Sequence, residues 1–172
     1  MKHLYYGYGK GKTTSAIGMA IRATGANKKV LFVQFLKSDN SNERKILRSI
    51  DNIVLTQCPE KIKFTNKMND KEFEECKKFN IQLFNKVTDK SYLENFDLII
   101  FDEIFSIVDC NFIDEKLILN FITSIESKNK EYVFTAHSVN QDIFNCFDYI
   151  TEMKKVKHPY DNGVLARCGI EY

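Results

Sequence analysis

The sequence predicts an α/β fold with a mostly parallel central sheet flanked by helices. Three observations carry that prediction. Short apolar runs alternate with stretches of helical periodicity, the order that builds an α/β layer. The runs at 30–36 and 98–101 are almost continuously apolar, which suits strands buried on both faces of a parallel sheet. Glycine-rich or acidic clusters at 7–14 and 102–103 follow strand-like runs directly, and open parallel sheets bind ligands at the carboxyl ends of their strands.

The elements follow in order. Residues 4–6 are short and apolar and stop at Gly7, a first strand. Residues 7–11 form a loop. From Lys12 the pattern turns helical, with Ala16, Met19, Ala20 and Ala23 on one face and a stop at 25–27. The run 30–36 is the second strand, with Gln34 inside it, and 38–42 is a polar loop. A short helix at 43–49 and a short strand at 53–56 come next. Residues 59–70, rich in Lys and Asn, read as irregular. Phe73, Phe79, Leu83 and Val87 space a helix over 71–87. The strand at 98–101 runs into Asp102-Glu103. A helix at 114–126, a strand at 132–135, a helix at 142–147 and a final core strand at 149–153 complete the order. A sheet of roughly five or six strands with right-handed crossovers is expected.

Composition narrows the function classes. The 172 residues suit one ordinary domain, 44% hydrophobic and 28% charged, so a disordered or fibrous chain is excluded. Lys and Arg number 25 against 23 Asp and Glu, a net charge of +2 that offers no general grip on nucleic acid or an anionic membrane. No apolar run approaches the roughly 20 residues of a membrane-spanning helix. The N-terminus runs into the glycine-rich stretch without a signal-peptide core. Five scattered cysteines, with no CxxC pair, read as reduced thiols of a cytoplasmic protein.

The strongest local signal is Gly7-Tyr8-Gly9-Lys10-Gly11-Lys12-Thr13-Thr14. Glycines there let several N–H groups point into one concavity, and the helix starting near Lys12 adds the positive end of its dipole. Lys12 reaches phosphate oxygens and the Thr13 hydroxyl suits Mg2+. The strict pattern G-x-x-x-x-G-K-[ST] is not met, because Tyr6 holds the first glycine position. Asp102-Glu103, after an apolar strand, is the usual setting for a carboxylate that holds Mg2+ directly or through water. Such a loop specifies the ligand class and leaves the reaction open among ATPases, kinases and other transferases.

The C-terminal stretch 151–172, T-E-M-K-K-V-K-H-P-Y-D-N-G-V-L-A-R-C-G-I-E-Y, resembles the ending T/S-E-M/L-x-x-V-K-H-x-x-D-x-G-x-x-A-x-x-G-I-E/D-Y/F of the ATP:corrinoid adenosyltransferases of the CobA/CobO/BtuR type. The loop is similar to that family's T-G-N-G-K-G-K-T-T, displaced glycine included. Val33-Gln34-Phe35-Leu36-Lys37 is similar to its V-Q-F-x-K, Glu43-Arg44 to its E-R, and Phe101-Asp102-Glu103 to its L-D-E.

The resemblance implies a single P-loop (RecA-like) domain over 1–172. It implies an enzyme that transfers the 5′-deoxyadenosyl group of ATP to the Co(I) of a corrinoid such as cobalamin and releases triphosphate. It implies that Gly7, Gly9, Lys10, Gly11, Lys12, Thr13 and Thr14 bind ATP, with Arg22 near the nucleotide. Thr13 and Glu103 would ligate Mg2+ or Mn2+, with Asp102 behind them. Phe64 and Thr65, similar to part of a G-F-T-W segment, would meet the corrinoid, and Phe64 would help displace the lower cobalt ligand. Lys12 and Phe64 are thus the implied catalytic residues. A homodimer and an electron-transfer protein supplying Co(I) are implied as partners.

The chain also departs from the pattern. Tyr8 replaces Asn, Asn66 replaces Trp in a chain with no Trp, and Ala136-His137 follows Thr135 where the family has T-G-R. An N-terminal segment of many members is expected to be missing. His137 is either a weaker, pH-dependent substitute for the arginine or an exposed loop histidine. His158 and Lys157 either approach the nucleotide or a dimer partner, or belong to a structural tail, the reading preferred for His158. Two rival functions remain at this level. One is an ATP or corrinoid binding module with little turnover; the other is a P-loop kinase or NTPase for another small substrate.

Overall fold

The structure, a computed structural model, describes residues 1–171; Tyr172, the last residue of the matched ending, lies outside the described residues. Strands β1 (Lys2–Tyr6), β2 (Val30–Gln34), β3 (Ile53–Leu55), β4 (Leu98–Asp102), β5 (Glu131–Ala136) and β6 (Tyr149–Glu152) form one sheet in the order β3-β2-β4-β5-β1-β6. Every pairing is parallel, so the sheet is wholly rather than mostly parallel. Helices α1 (Lys12–Gly25), α2 (Asn42–Leu47), α3 (Asp70–Val87), α4 (Lys90–Leu93), α5 (Ser106–Asp109), α6 (Glu115–Ser124) and α7 (Gln141–Phe144) make the connections.

The continuous apolar runs have the predicted cause. Each residue of β2 and of β4 is buried, because both faces of the sheet are covered. Leu98 and Ile100 of β4 pack with Ala16 and Ala20 of α1 and Leu47 of α2. Ile99 and Phe101 point the other way, into a larger cluster with Leu83, Phe84 and Val87 of α3 and Ile118, Phe121 and Ile122 of α6. Small residues on α1 let that helix lie close to the sheet. On the opposite face Phe101 stacks on Phe134 with ring centroids 5.0 Å apart, and Phe121 meets Phe101 edge-on at 5.4 Å. Removing a buried phenylalanine of this kind costs ~3–5 kcal/mol.

α3 starts where the Lys- and Asn-rich segment ends. The Asn69 side chain accepts the Glu72 N–H at 2.9 Å, and the Glu72 carboxylate accepts the Asn69 N–H at 3.0 Å, a reciprocal cap worth ~1 kcal/mol.

Two expectations are corrected. The strand at 149–152 is an edge strand and not a core strand: it pairs with β1 alone, and all four of its residues are exposed. Its apolar Tyr149 and Ile150 mimic the pattern of a covered strand, but both are exposed. Also, 59–70 contains a single 3-10 turn, Thr65–Lys67, and α4 and α5 are one-turn helices too short to show periodicity. All five cysteines are free. No helix among the described residues is long and apolar enough to cross a membrane.

Candidate active site at the carboxyl edge of the sheet

The glycine loop joins β1 to α1. Gly7 and Gly11 have φ of 112° and 118°, which a side chain would strain. The Gly7 N–H is used by the carbonyls of Ala136 and His137, at 3.2 and 3.1 Å, and the Gly9 N–H by the Met153 carbonyl at 2.6 Å. These two amides are therefore committed to the fold. The N–H groups of Lys10, Gly11, Lys12, Thr13 and Thr14 have no acceptor among the described residues. They sit at the start of a helix of 14 residues, where partial positive charge accumulates. The part of the loop whose N–H groups are left available to an anion is thus its second half.

Lys12 is 7% exposed and folds back on its own loop, its Nζ donating to the Gly7 carbonyl at 2.6 Å and the Gly9 carbonyl at 3.2 Å. Burial holds its ammonium below the usual lysine range, and the charges of Glu103 and Asp102 oppose that shift. The Lys10 side chain instead reaches the C-terminal tail, with Nζ 3.2 Å from Glu171 Oε1.

β5 lies between β4 and β1 and ties the acidic pair to the loop. Asp102 is fully buried. It accepts from Thr13 Oγ1 at 3.0 Å, from Thr135 Oγ1 at 2.9 Å and from Gln34 Nε2 at 3.2 Å. Thr135 Oγ1 itself accepts the Glu103 N–H at 2.8 Å, so its own proton is the one given to Asp102. Burial and the neighbouring Glu103 push the Asp102 carboxyl up, against its three donors. Glu103 has φ 60°, an uncommon conformation for glutamate that costs ~1–3 kcal/mol and is typical of functional sites. Its carboxylate accepts from Ser106 Oγ at 2.7 Å and lies 3.7 Å from His137 Nε2.

Two of the departures from the family pattern meet here. Tyr8, 71% exposed, stacks on His137 with centroids 5.9 Å apart and rings 29° from parallel. The stack thus stands beside Glu103, through His137.

Beyond the carboxyl end of β2 lie two adjoining cavities. One, of ≈ 740 Å³, is lined by Asn40, Ile62, Met68, Cys76 and Phe79 among others. The second, of ≈ 480 Å³, is lined by Leu36, Lys37, Phe64, Thr65 and Lys67 among others. Ser38, Ile62 and Lys63 line both. Phe64 is 78% exposed, with Lys67 Nζ 5.9 Å from its ring centre. The third departure, Asn66, lies in the turn just after it.

The structure brings Lys12, Thr13, Asp102 and Glu103 together and sets Phe64 and Thr65 on a neighbouring cavity wall. It does not bring Arg22 to the loop: Arg22 is exposed in the last turn of α1, ten residues from Lys12, or about 15 Å along a helix. His158 caps the turn Pro159–Asn162, its Nδ1 accepting the Tyr160 N–H at 3.2 Å, in keeping with a structural tail.

The model of the family "ATP:corrinoid adenosyltransferase BtuR/CobO/CobP" matches residues 1–172. The chain belongs to that family. It is a family of enzymes, and the resemblance carried by the loop and the ending is borne out. Among named relatives, the corrinoid adenosyltransferase of Escherichia coli (strain K12) is 26% identical over 169 residues, 98% of this chain and 84% of that protein. Corrinoid adenosyltransferase CobA of Salmonella typhimurium (strain LT2) is 28% identical over 172 residues, with the same two coverages of 98% and 84%. A corrinoid adenosyltransferase of Sinorhizobium sp is 25% identical over 171 residues, 96% of this chain and 77% of that protein.

Three residues that the sequence did not mark as functional enter the site: Thr135, Ser106 and Gln34. Gln34, a carboxamide inside an otherwise apolar strand, and Thr135, at the threonine of the T-G-R segment, carried advance signals; Ser106 carried none.

Proposed function

We propose that this chain transfers the 5′-deoxyadenosyl group of ATP to the Co(I) of a corrinoid and releases triphosphate. The observation that carries the proposal is the second half of the glycine loop. Five backbone N–H groups without acceptors among the described residues and the Lys12 ammonium lie together at a helix start, beside the carboxylate of Glu103. That arrangement suits a polyphosphate bearing charge that grows as it leaves.

The donors around Thr13 and Glu103 are hydroxyl and carboxylate oxygens, and Mg2+ favours few protein oxygens completed by phosphate and water. The residues therefore fit Mg2+ or Mn2+, held by Thr13 and Glu103 with Asp102 behind Thr13. When bound, the cation would neutralise charge on the triphosphate. Lys12 exchanges the Gly7 and Gly9 carbonyls for phosphate oxygens. Its burial makes that charge count for more than it would in water. The loop amides bind the same oxygens and orient the nucleotide so that its 5′ carbon faces the neighbouring cavities.

The corrinoid would occupy those cavities, against Phe64 and Thr65. Cobalt supplies the electron pair for the new cobalt–carbon bond, the 5′ carbon–oxygen bond breaks, and its electron pair departs with triphosphate. No side-chain nucleophile is needed; the chain contributes binding and alignment. A homodimer in the cytoplasm, with an electron-transfer protein supplying Co(I), belongs to the same reading.

The test is an anaerobic assay with chemically generated Co(I) cobalamin, ATP and Mg2+, followed by the visible spectrum and by triphosphate release. Adenosylcobalamin with one triphosphate per turnover, both lost in Lys12→Ala, is the expected result. ATP binding without product would replace the enzyme by a binding module. Release of phosphate or ADP would replace it by a kinase or NTPase.

A further inference from the structure

The segments 33–37 and 43–44 match the family pattern, yet Arg44 and Gln34 touch none of the atoms assigned a role above except Asp102. Arg44 is fully buried, an exceptional place for a guanidinium. Its Nη1 donates to Gln34 Oε1 at 2.9 Å, its Nη2 to the Thr56 carbonyl at 2.6 Å, and its Nε to Asp39 Oδ1 at 3.1 Å. Arg48 also pairs with Asp39. Gln34, 1% exposed, then donates from Nε2 to Asp102 Oδ2 at 3.2 Å. A continuous chain of hydrogen bonds, buried in its middle and part-buried at both ends, thus runs Asp39–Arg44–Gln34–Asp102–Thr13 across the carboxyl ends of β2 and β4.

Direction is built into this chain. A guanidinium has donors and no acceptor, so it captures the carboxamide oxygen of Gln34. The amide cannot then turn over, and its NH2 is the group that must face Asp102. Asp102 is left as an acceptor on that side and toward Thr135. The Thr13 hydroxyl therefore spends its proton on Asp102 and keeps its lone pairs outward. Asp39, at the far end, stands between Ser38 and Asn40, both of which line the larger cavity.

We propose that Arg44 and Gln34 are positioning residues that, through Asp102, hold the Thr13 oxygen in the orientation needed to receive a divalent cation beside the nucleotide. This rests on the functional reading given above. Two alternatives for so well bonded an arginine are a purely structural pin for α2 and a counter-ion for Asp39; neither predicts an effect on metal.

The test separates them without turnover. ATP binding is measured by calorimetry without corrinoid, once with Mg2+ and once with EDTA, for the unmodified chain, Gln34→Glu and Arg44→Lys, with thermal unfolding of each. The unmodified chain is expected to bind ATP more tightly with Mg2+. Removing a group that orients a metal ligand typically costs about 10–100-fold in metal affinity. Both variants should therefore lose most of the Mg2+-dependent gain while their affinities in EDTA stay within about threefold, well under the 1.4 kcal/mol of a tenfold change.

Gln34→Glu is the sharper variant. Its new carboxylate still accepts from Arg44, but Asp102 and Glu43 each lose a donor and gain a like charge. If Gln34→Glu fails to fold, Arg44→Lys decides by the same comparison, and loss of the fold in both would assign the pair a structural role and overturn the proposal. Equal weakening with Mg2+ and with EDTA would assign the pair a structural role and also overturn it. So would an unchanged Mg2+ gain in either folded variant. An unmodified chain that binds ATP equally with Mg2+ and EDTA overturns the relay alone. One that binds no ATP at all overturns the proposed function as well.

Discussion

Gly9→Ala tests the structure at its tightest backbone contact. A Cβ at Gly9 would lie 2.5 Å from the Met153 carbonyl oxygen, 2.8 Å from its carbon and 2.9 Å from the Lys154 carbonyl carbon. All three are backbone atoms, so no side chain can swing aside. Gly9 is not in the left-handed region, and the substitution therefore measures contact rather than dihedral strain. The loop and the chain leaving β6 must separate. That forfeits good packing, at ~1–3 kcal/mol. It also stretches the 2.6 Å hydrogen bond from the Gly9 N–H to Met153, worth ~0.5–1.5 kcal/mol. A central loss of ~3 kcal/mol corresponds to a fall in Tm of roughly 6–12 °C for a chain of this size. Thermal unfolding without nucleotide reads it directly. Gly18→Ala is the control: nothing lies within 4 Å of its Cβ. In a helix interior that change gains ~0.5–1 kcal/mol. A Gly9→Ala protein with unchanged Tm would refute the reasoning. It would mean that glycine at this position serves only phosphate and not the approach of the C-terminal segment.

Other outcomes follow from the same geometry. Lys12→Ala should weaken ATP binding by roughly 10–150-fold, the ~1.5–3 kcal/mol of charge-assisted hydrogen bonds, as read by calorimetry. Phe64→Ala, at an exposed position, should leave Tm within the ~0.5 kcal/mol of ordinary surface changes. It should nevertheless lower the rate with corrinoid; equal loss of stability and rate would make it a packing residue. Arg167 holds the Glu171 carboxyl far below its ordinary 4.5, at about 2, with Lys10 contributing. A lowered folded-state pKa means that the stabilisation from the Arg167–Glu171 contact within the tail is fully present above about pH 4.5 and is lost as pH falls toward 2. A carboxyl titration of Glu171 by NMR with a midpoint near 4.5 would show that contact absent.

Much of the molecule follows from local pattern. Unbroken apolar runs at 30–33 and 98–101 demand cover on both faces, and both lie in central strands. Ala16 and Ala20 at helical spacing announce the face that meets the sheet. The loop at 7–14 is legible because glycine, lysine and threonine act there through neighbours in sequence. The ending at 151–172 is legible as a family pattern, although nearly all of its described residues are exposed and its composition alone predicts no role.

Tertiary structure decides what depends on neighbours far along the chain. Tyr149 and Ile150 have the composition of a core strand, yet they lie at the edge because the sheet ends there. Lys12 and Arg22 stand on one helix, and the helix's length and direction put one in the glycine loop and the other about 15 Å along the helix from it. Gly9 reads as a phosphate glycine until Met153, 144 residues later, is seen against it. Asp102 is an acid at the end of a strand in the sequence. Its role as the acceptor for Thr13, Thr135 and Gln34 exists only because parallel pairing brings β2, β4 and β5 into register at one edge. Periodicity reports which face of an element is covered. It carries no information on which distant residue does the covering, and the chemistry of this site is built from those distant pairs.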